Sequence, residues 1–146
     1  MSVQFEISQV IDRPVAKVFH FYAHEHVRNH PRWDPDMELE QISDGPIGVG
    51  AVIRRRNSRY GTPVEGTMEV VEFEPDRAFA VVIHDGPVEI RGRATFEPIG
   101  DNRTTMTTIV ELPGADESMD RSFLASRLER SARNQKELME SEIEGI

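Results

Sequence analysis

The sequence predicts an α+β domain in which one long C-terminal helix lies across an antiparallel sheet. Residues 117–144 carry apolar side chains at three- and four-residue steps, a spacing typical of an amphipathic helix. Between residues 36 and 112, strand-like segments alternate with turn sequences that recur roughly every 10 to 14 residues. No parallel crossover is indicated among these segments, so neighbouring strands should run antiparallel.

The N-terminal part of the chain is predicted to form one strand followed by two short helices. Polar and apolar residues alternate over residues 3–11, which indicates a half-buried strand. A proline at the first turn and an apolar face favour a helix over residues 14–23. A second helical piece near residues 25–29 should stop around Pro31, because proline interrupts helices. The HPRWDPD sequence is expected to be irregular and to hold Trp33 against the core.

Six further strands and the terminal helix complete the predicted order, which makes a seven-stranded sheet. Turn sequences separate these strands, which are expected at residues 38–43, 51–59, 64–73, 78–84, 88–96 and 104–112. On the terminal helix, Gln135 and Glu142 interrupt the apolar stripe, so that face is not built only for dry packing. Either the helix end frays into water near Glu142, or these groups have partners beneath it. Helix-surface positions are assigned to Ser118, Ser122, Ser126 and Ser131.

Composition restricts the class of protein. A chain of 146 residues is the usual size of one domain, and residues 1–146 are expected to form a single one. Hydrophobic residues (38%) and charged residues (29%) occur as in folded globular proteins. The net charge of −9 disfavours nucleic acid and anionic membranes, and the absence of cysteine excludes disulfides and thiolate chemistry. Without a membrane span or a signal-peptide pattern, a cytoplasmic location is expected.

One basic cluster comprises residues 54–56 and Arg59. Successive strand residues point to opposite faces, so this cluster divides its charge between two sides and makes a poor phosphate track. Arg55 shares strand parity with Ala51 and Ile53. If that parity is the inner face, Arg55 points a cation into the interior, where it would hold a ligand carboxylate or polarise a carbonyl. The alternative is an outward, solvated arginine.

Four of the five histidines lie within eleven residues. His20 and His24 are four residues apart and would share one face of a continuous helix, as metal-binding pairs do. A junction between two short helices near residues 23–25 would break that face. A partly exposed polar helix pair is therefore favoured, and no metal site is predicted. The whole cluster consists of His20, His24, His26 and His30, followed by Asp34 and Asp36.

Other chemistry has little support in the sequence. There is no Gly-x-Ser-x-Gly elbow for nucleophilic catalysis, and no glycine spacing forms a phosphate-binding loop, so no cofactor is predicted. His84 stands at a strand end before a turn. It is either a titratable group at a cavity mouth or a solvent-exposed turn residue.

The order of elements and a series of short motifs resemble the helix-grip fold of the START-like (SRPBCC) superfamily, and within it the polyketide cyclase/dehydrase-like family. The resemblance covers nearly the whole chain. In chain order the motifs are IDRPVAKVF at 11–19, WDP at 33–35, GPIGVG at 45–50, VVEFEP at 70–75, FEP at 96–98 and ELPG at 111–114.

The resemblance implies a curved seven-stranded sheet wrapped around the C-terminal helix, with the two short helices closing one end. It also implies an apolar cavity for lipids, sterols, polyketides or plant hormones. Methionines at Met68, Met106 and Met119 would suit an adaptable pocket. The residues that we expect to line the cavity are Phe21, Tyr22, Trp33, Arg55, Met68, Val81, His84, Ile90, Met106, Phe123 and Arg127.

Three hypotheses about function follow. The first is binding of a small hydrophobic ligand between sheet and helix, with Arg55 or His84 orienting it. The second is a polyketide cyclase or dehydratase, which requires inward polar residues that face one another across the cavity. The third is a protein-interaction module, which would have a filled core and an exposed apolar patch. The expected partner is a small hydrophobic molecule, and a homodimer is left open.

Overall fold

A computed structural model describes residues 2–58, 61–115 and 120–144. The strands are β1 (Val3–Ile11), β2 (Met37–Gln41), β3 (Val52–Asn57), β4 (Val64–Glu74), β5 (Ala78–Asp85), β6 (Val88–Ile99) and β7 (Arg103–Leu112). The helices are α1 (Val15–Phe19), α2 (His26–Trp33) and α3 (Arg121–Glu142). A π-helical turn, His20–His24, connects α1 with α2.

The seven strands form one antiparallel sheet in the order β1-β7-β6-β5-β4-β3-β2. Each strand from β2 to β7 pairs with its neighbour in the chain, and β1 closes onto β7 with Val3 opposite Leu112. The register of β4 against β5 shifts between Val70 and Glu72, a bulge that bends the strand. This arrangement confirms the predicted α+β class and the helix-grip fold.

The end of α2 differs from the prediction. The helix contains Pro31 and continues to Trp33, so the prediction that it stops around Pro31 was wrong. Proline removes one backbone donor, but the amide of Asp34 still donates to the carbonyl of His30 at 3.0 Å. Trp33 is buried, and stacking of its ring on Tyr22 holds the last turn in place. Tertiary packing here outweighs the local cost of the proline.

The long helix α3 begins at Arg121, where the carboxylate of Asp120 accepts a hydrogen bond from the amide of Phe123 at 2.9 Å. The predicted helix started at residue 117, and both Ser118 and Met119 lie outside the described residues. Helix α3 buries Leu124, Ser131, Gln135 and Met139 against the sheet. None of the described helices is long and apolar enough to cross a membrane.

The polar residues on the predicted stripe of α3 have different environments. Gln135 is buried, whereas Glu142 is exposed and forms an ion pair with Arg32 at the end of α2. The guanidinium of Arg32 lowers the pKa of Glu142 by donating a hydrogen bond to it. The last turn of α3 is therefore tied to α2 and remains helical as far as Glu142.

Candidate functional site

A cavity of about 120 Å³ lies between α3 and the inner face of the sheet. Its size is close to that of engineered apolar cavities of about 150 Å³ that hold benzene, and it is smaller than drug-sized pockets of about 300 Å³ or more. A narrower space of about 30 Å³ adjoins it between β1, β7 and α3. Most of the wall is apolar, and it includes Val81, Ile83, Ile90, Ala94, Val110 and Leu124.

A buried ion pair forms the polar end of this cavity. The inward parity of β3 places Arg55 beside Ile53, and its side chain is only 4% exposed. The Nε atom of Arg55 donates to Oδ1 of Asp85 at 2.9 Å and to Oδ2 at 3.2 Å. Nδ2 of Asn57 donates to the same Oδ2 at 2.9 Å. The charge of Arg55 is thus balanced where water is largely excluded.

Gly66 makes this ion pair geometrically feasible. It lies on β4, paired with Arg55 on β3 and with Asp85 on β5, so it stands between the two charged residues. A Cβ atom at Gly66 would come within 1.9 Å of the carbonyl oxygen of His84 and 2.9 Å of Oδ1 of Asp85. The missing side chain therefore provides the space in which Arg55 reaches across one strand to Asp85.

Two donor groups at this end have no partner among the residues that the structure describes. Both hydrogen bonds from the guanidinium of Arg55 come from Nε, so Nη1 and Nη2 are left for the cavity that Arg55 lines. The hydroxyl of Tyr22 likewise makes no hydrogen bond to another described residue. Burial raises the pKa of Tyr22 far above its usual value, so the phenol is a neutral donor.

An aromatic stack and a row of polar side chains extend along α2 beside this pair. The ring of Trp33 stacks between those of Tyr22 and His30, at centroid distances of 5.0 and 5.4 Å. The distance between Nδ1 of His30 and Nε2 of His26 is 3.0 Å, and Nε2 of His30 lies 3.7 Å from Oδ2 of Asp34. All five side chains line the cavity.

His26 is held in its neutral form. Burial is the largest cause that lowers the pKa of His26, and the nearby His30 and Arg55 lower it further. The ring contacts the carbonyl of Tyr22 through Nδ1 at 2.9 Å, and a carbonyl only accepts, so Nδ1 carries the proton. Nε2 of the neutral ring is then an acceptor, and Nδ1 of His30 donates to it.

Helix α3 supplies polar groups on the opposite side. Ser131 and Gln135 are buried and line the cavity, so the interpretation of Ser131 as a helix-surface residue was wrong. Nε2 of Gln9 donates to Oε1 of Gln135 at 3.5 Å. Serine and glutamine, one turn apart, thus replace apolar residues where the helix faces the cavity rather than a packed sheet.

The structure brings six of the eleven predicted lining residues to the cavity and places five elsewhere. His84 lies on the outer face of β5, because Ile83 and Asp85 on either side of it point inward, and Nε2 of His84 is 3.6 Å from Glu89. The six residues that line the cavity are Tyr22, Trp33, Arg55, Met68, Val81 and Ile90.

The other four predicted residues also lie away from the cavity. Phe21 and Met106 are buried in the core, and Phe123 lies exposed near the start of α3. The guanidinium of Arg127 sits 5.0 Å from the ring centroid of Phe123 and 3.1 Å from the carboxylate of Asp36, so it points along the surface of the helix. Arginine is too well solvated to enter an apolar wall without a partner there.

Sequence reasoning missed several residues of the site. The predicted strand ends at residue 84 and leaves Asp85 in the turn that follows, although alternation from Ile83 places Asp85 on the inner face. A glycine inside a strand pattern, as at Gly66, is itself a sign of a close approach. The expectation of a partly exposed polar helix pair was wrong for His26, which is 2% exposed. No group of three or more histidine, aspartate or glutamate residues in the described part of the chain is arranged to hold a metal ion.

Comparison with known proteins shows the family. Residues 2–140 match the family described as polyketide cyclase/dehydrase and lipid transport. The chain belongs to this family. No match is found among curated proteins. The family assignment agrees with the fold but names no single activity.

Solved structures of the same fold share little sequence with this family member. A START superfamily protein from Mycobacterium smegmatis superposes with a TM-score of 0.77 at 12% identity, covering 94% of this chain and 97% of the other. The Zhui aromatase/cyclase from Streptomyces sp. R1128 superposes with a TM-score of 0.72 at 16% identity, covering 97% of this chain and 93% of the other. Norcoclaurine synthase from Thalictrum flavum superposes with a TM-score of 0.70 at 14% identity, covering 99% of this chain and 90% of the other.

The neutral state of His26 predicts a loss of stability in acid. As the pH falls below the ordinary histidine value of about 6.5, the unfolded chain binds a proton that the folded chain excludes. For each pH unit below that value, His26 should therefore lower the free energy of unfolding by up to about 1.4 kcal/mol. In urea unfolding between neutral pH and mild acid, the free energy of unfolding of His26→Phe should depend less steeply on pH than that of the wild type. The control is Val10→Leu, which changes an exposed, non-titrating side chain and should keep the wild-type slope. Equal slopes in all three proteins would contradict the role of His26.

The role of Gly66 predicts a large cost for a small substitution. Gly66→Ala should destabilise the fold by about 2 kcal/mol or more, because the new methyl group meets backbone and disturbs the ion pair. Gly48→Ala is the matched control, since a Cβ there meets nothing within 4 Å. Chemical unfolding followed by circular dichroism measures both. Equal stability of the two variants would mean that the close approach at Gly66 is unimportant.

Proposed function

We propose that this protein binds a small, largely apolar ligand in the cavity between its sheet and α3. The observation that supports this proposal is the composition of the cavity wall. The wall is mostly apolar, but at one end the buried side chains of Arg55 and Tyr22 have hydrogen-bond donors with no partner among the described residues. A ligand that buries its apolar surface there gains about 25 cal/mol for each Å² removed from water, before the costs of binding. The polar end would orient the ligand.

The size of the cavity favours a ligand with one ring. At about 120 Å³ it suits a ligand with a single substituted ring, whereas a ligand of two or more rings exceeds this volume. Among structures of the same fold, the norcoclaurine synthase was solved in complex with dopamine and hydroxybenzaldehyde, each of which has one ring. Family membership supports ligand binding of this general kind. A cytoplasmic location stays a prediction.

A second candidate function is acid/base catalysis on the bound ligand, as in a cyclase or dehydratase. Polar residues do face one another across the cavity, with Tyr22 and Arg55 on one side and Ser131 and Gln135 on the other. His30 and Asp34 lie 3.7 Å apart on the cavity wall, and both are side chains of the kind that accept protons in acid/base catalysis. The interaction module required a filled core, and the cavity does not meet that condition.

Binding is tested with isopropylbenzene, a one-ring apolar probe. The single tryptophan of the chain, Trp33, lines the cavity, so its fluorescence should respond on titration, with calorimetry giving the affinity. Ala94→Leu should fill part of the cavity and weaken binding about ten-fold or more while keeping the fold. Val10→Leu, at an exposed strand position, is the control. Absence of binding by the wild type, or equal binding by Ala94→Leu, would overturn the proposal.

Catalysis is tested separately with acetophenone in deuterated water. In this reaction a base takes a proton from the methyl carbon, the electron pair moves to the carbonyl oxygen beside Arg55, and deuterium returns from solvent to carbon. If the second candidate is correct, the protein should accelerate exchange about a hundred-fold, and His30→Gln should abolish the gain. Nuclear magnetic resonance measures the exchange. No acceleration would remove the catalytic candidate and leave binding untouched.

A further inference from the structure

The charges around the cavity leave no net positive charge for a ligand. Arg55 is paired with Asp85, and the exposed side chain of Arg93 is paired with Glu72 at 2.7 Å. Asp34 adds a further carboxylate beside His30. Every cation on the wall thus faces its own carboxylate, since His26 is neutral.

The polar end nevertheless offers strong donors. Nη1 and Nη2 of Arg55 and the hydroxyl of Tyr22 have no partner among the described residues, and both side chains are more than nine-tenths buried. A buried donor without a partner costs free energy comparable to a lost hydrogen bond. These groups therefore favour an occupant that supplies oxygen acceptors.

We propose that the polar end of the cavity selects an uncharged oxygen acceptor, such as the carbonyl of a ketone, aldehyde or ester, and rejects the matching carboxylate. Asp85 is what sets this selectivity. A carbonyl accepts from Arg55 without bringing charge, whereas a carboxylate adds an anion to a buried site whose cations are already neutralised. This inference rests on the proposed binding function and specifies its ligand class.

Three probes of nearly equal size and shape separate the alternatives: acetophenone, benzoate and isopropylbenzene. Calorimetry at neutral pH should show that the wild type binds acetophenone about ten-fold or more tightly than either of the others. His84→Ala, on the outer face, is the control and should show the same order. If no probe binds, the proposed function itself fails. If isopropylbenzene binds as tightly as acetophenone, binding stands and the inference fails.

Two variants test whether Asp85 sets the choice. Asp85→Asn leaves the charge of Arg55 unbalanced, so benzoate should gain about ten-fold or more relative to acetophenone. Breaking a buried pair is costly, and this variant must first be shown to fold by circular dichroism. The double variant Arg55→Met with Asp85→Leu removes both charges together, a change that folded proteins often tolerate. Its preference for acetophenone over isopropylbenzene should be several-fold weaker than that of the wild type, because the hydroxyl of Tyr22 is then the donor left at this end.

A wild type that prefers benzoate overturns the inference, as does a folded Asp85→Asn variant with unchanged preference. If Asp85→Asn does not fold, binding by the double variant decides whether Arg55 selects the ligand. An undiminished preference for acetophenone in the double variant would show that Arg55 does not select the ligand, and a reduced preference would support the inference.

Discussion

The buried ion pair between Arg55 and Asp85 is the interaction on which the cavity depends. Removing one partner of such a pair typically costs about 3–5 kcal/mol, because the other charge is left in a poorly solvated place. The pair requires an inward arginine on β3, an inward aspartate on β5 and a glycine between them on β4. It puts a polar end on an otherwise apolar wall and keeps that end without net charge.

The segment from the π-helical turn to the end of α2 closes this polar end. Trp33 is clamped between Tyr22 and His30, and the backbone carbonyl of Tyr22 determines which nitrogen of His26 carries a proton. Because that ring is buried beside Arg55, its pKa is lowered and it adds no cation to the site. One short piece of chain thus supplies packing and electrostatic balance together.

Helix α3 completes the cavity through its departures from a simple apolar stripe. Ser131 and Gln135 face the space, while Leu124 and Met139 pack near the two ends of the helix. A stripe of large apolar residues throughout would fill the space and leave a dry core. The family description names no single activity, and the small volume and the balanced charge of this cavity restrict the class of ligand that we propose more than the fold does.

The sequence by itself determined the order of elements, the antiparallel sheet and the strand parity that Arg55 shares with Ile53, because these depend on local periodicity and turn residues. It also led to six of the residues that line the cavity. The tertiary structure decided that this parity faces inward. Only the tertiary structure decided that Arg55 meets Asp85, thirty positions away along the chain, across Gly66. It also decided that α2 continues past Pro31 and that His84 faces outward. Such pairings depend on strand register and on packing between distant segments, which local periodicity does not encode.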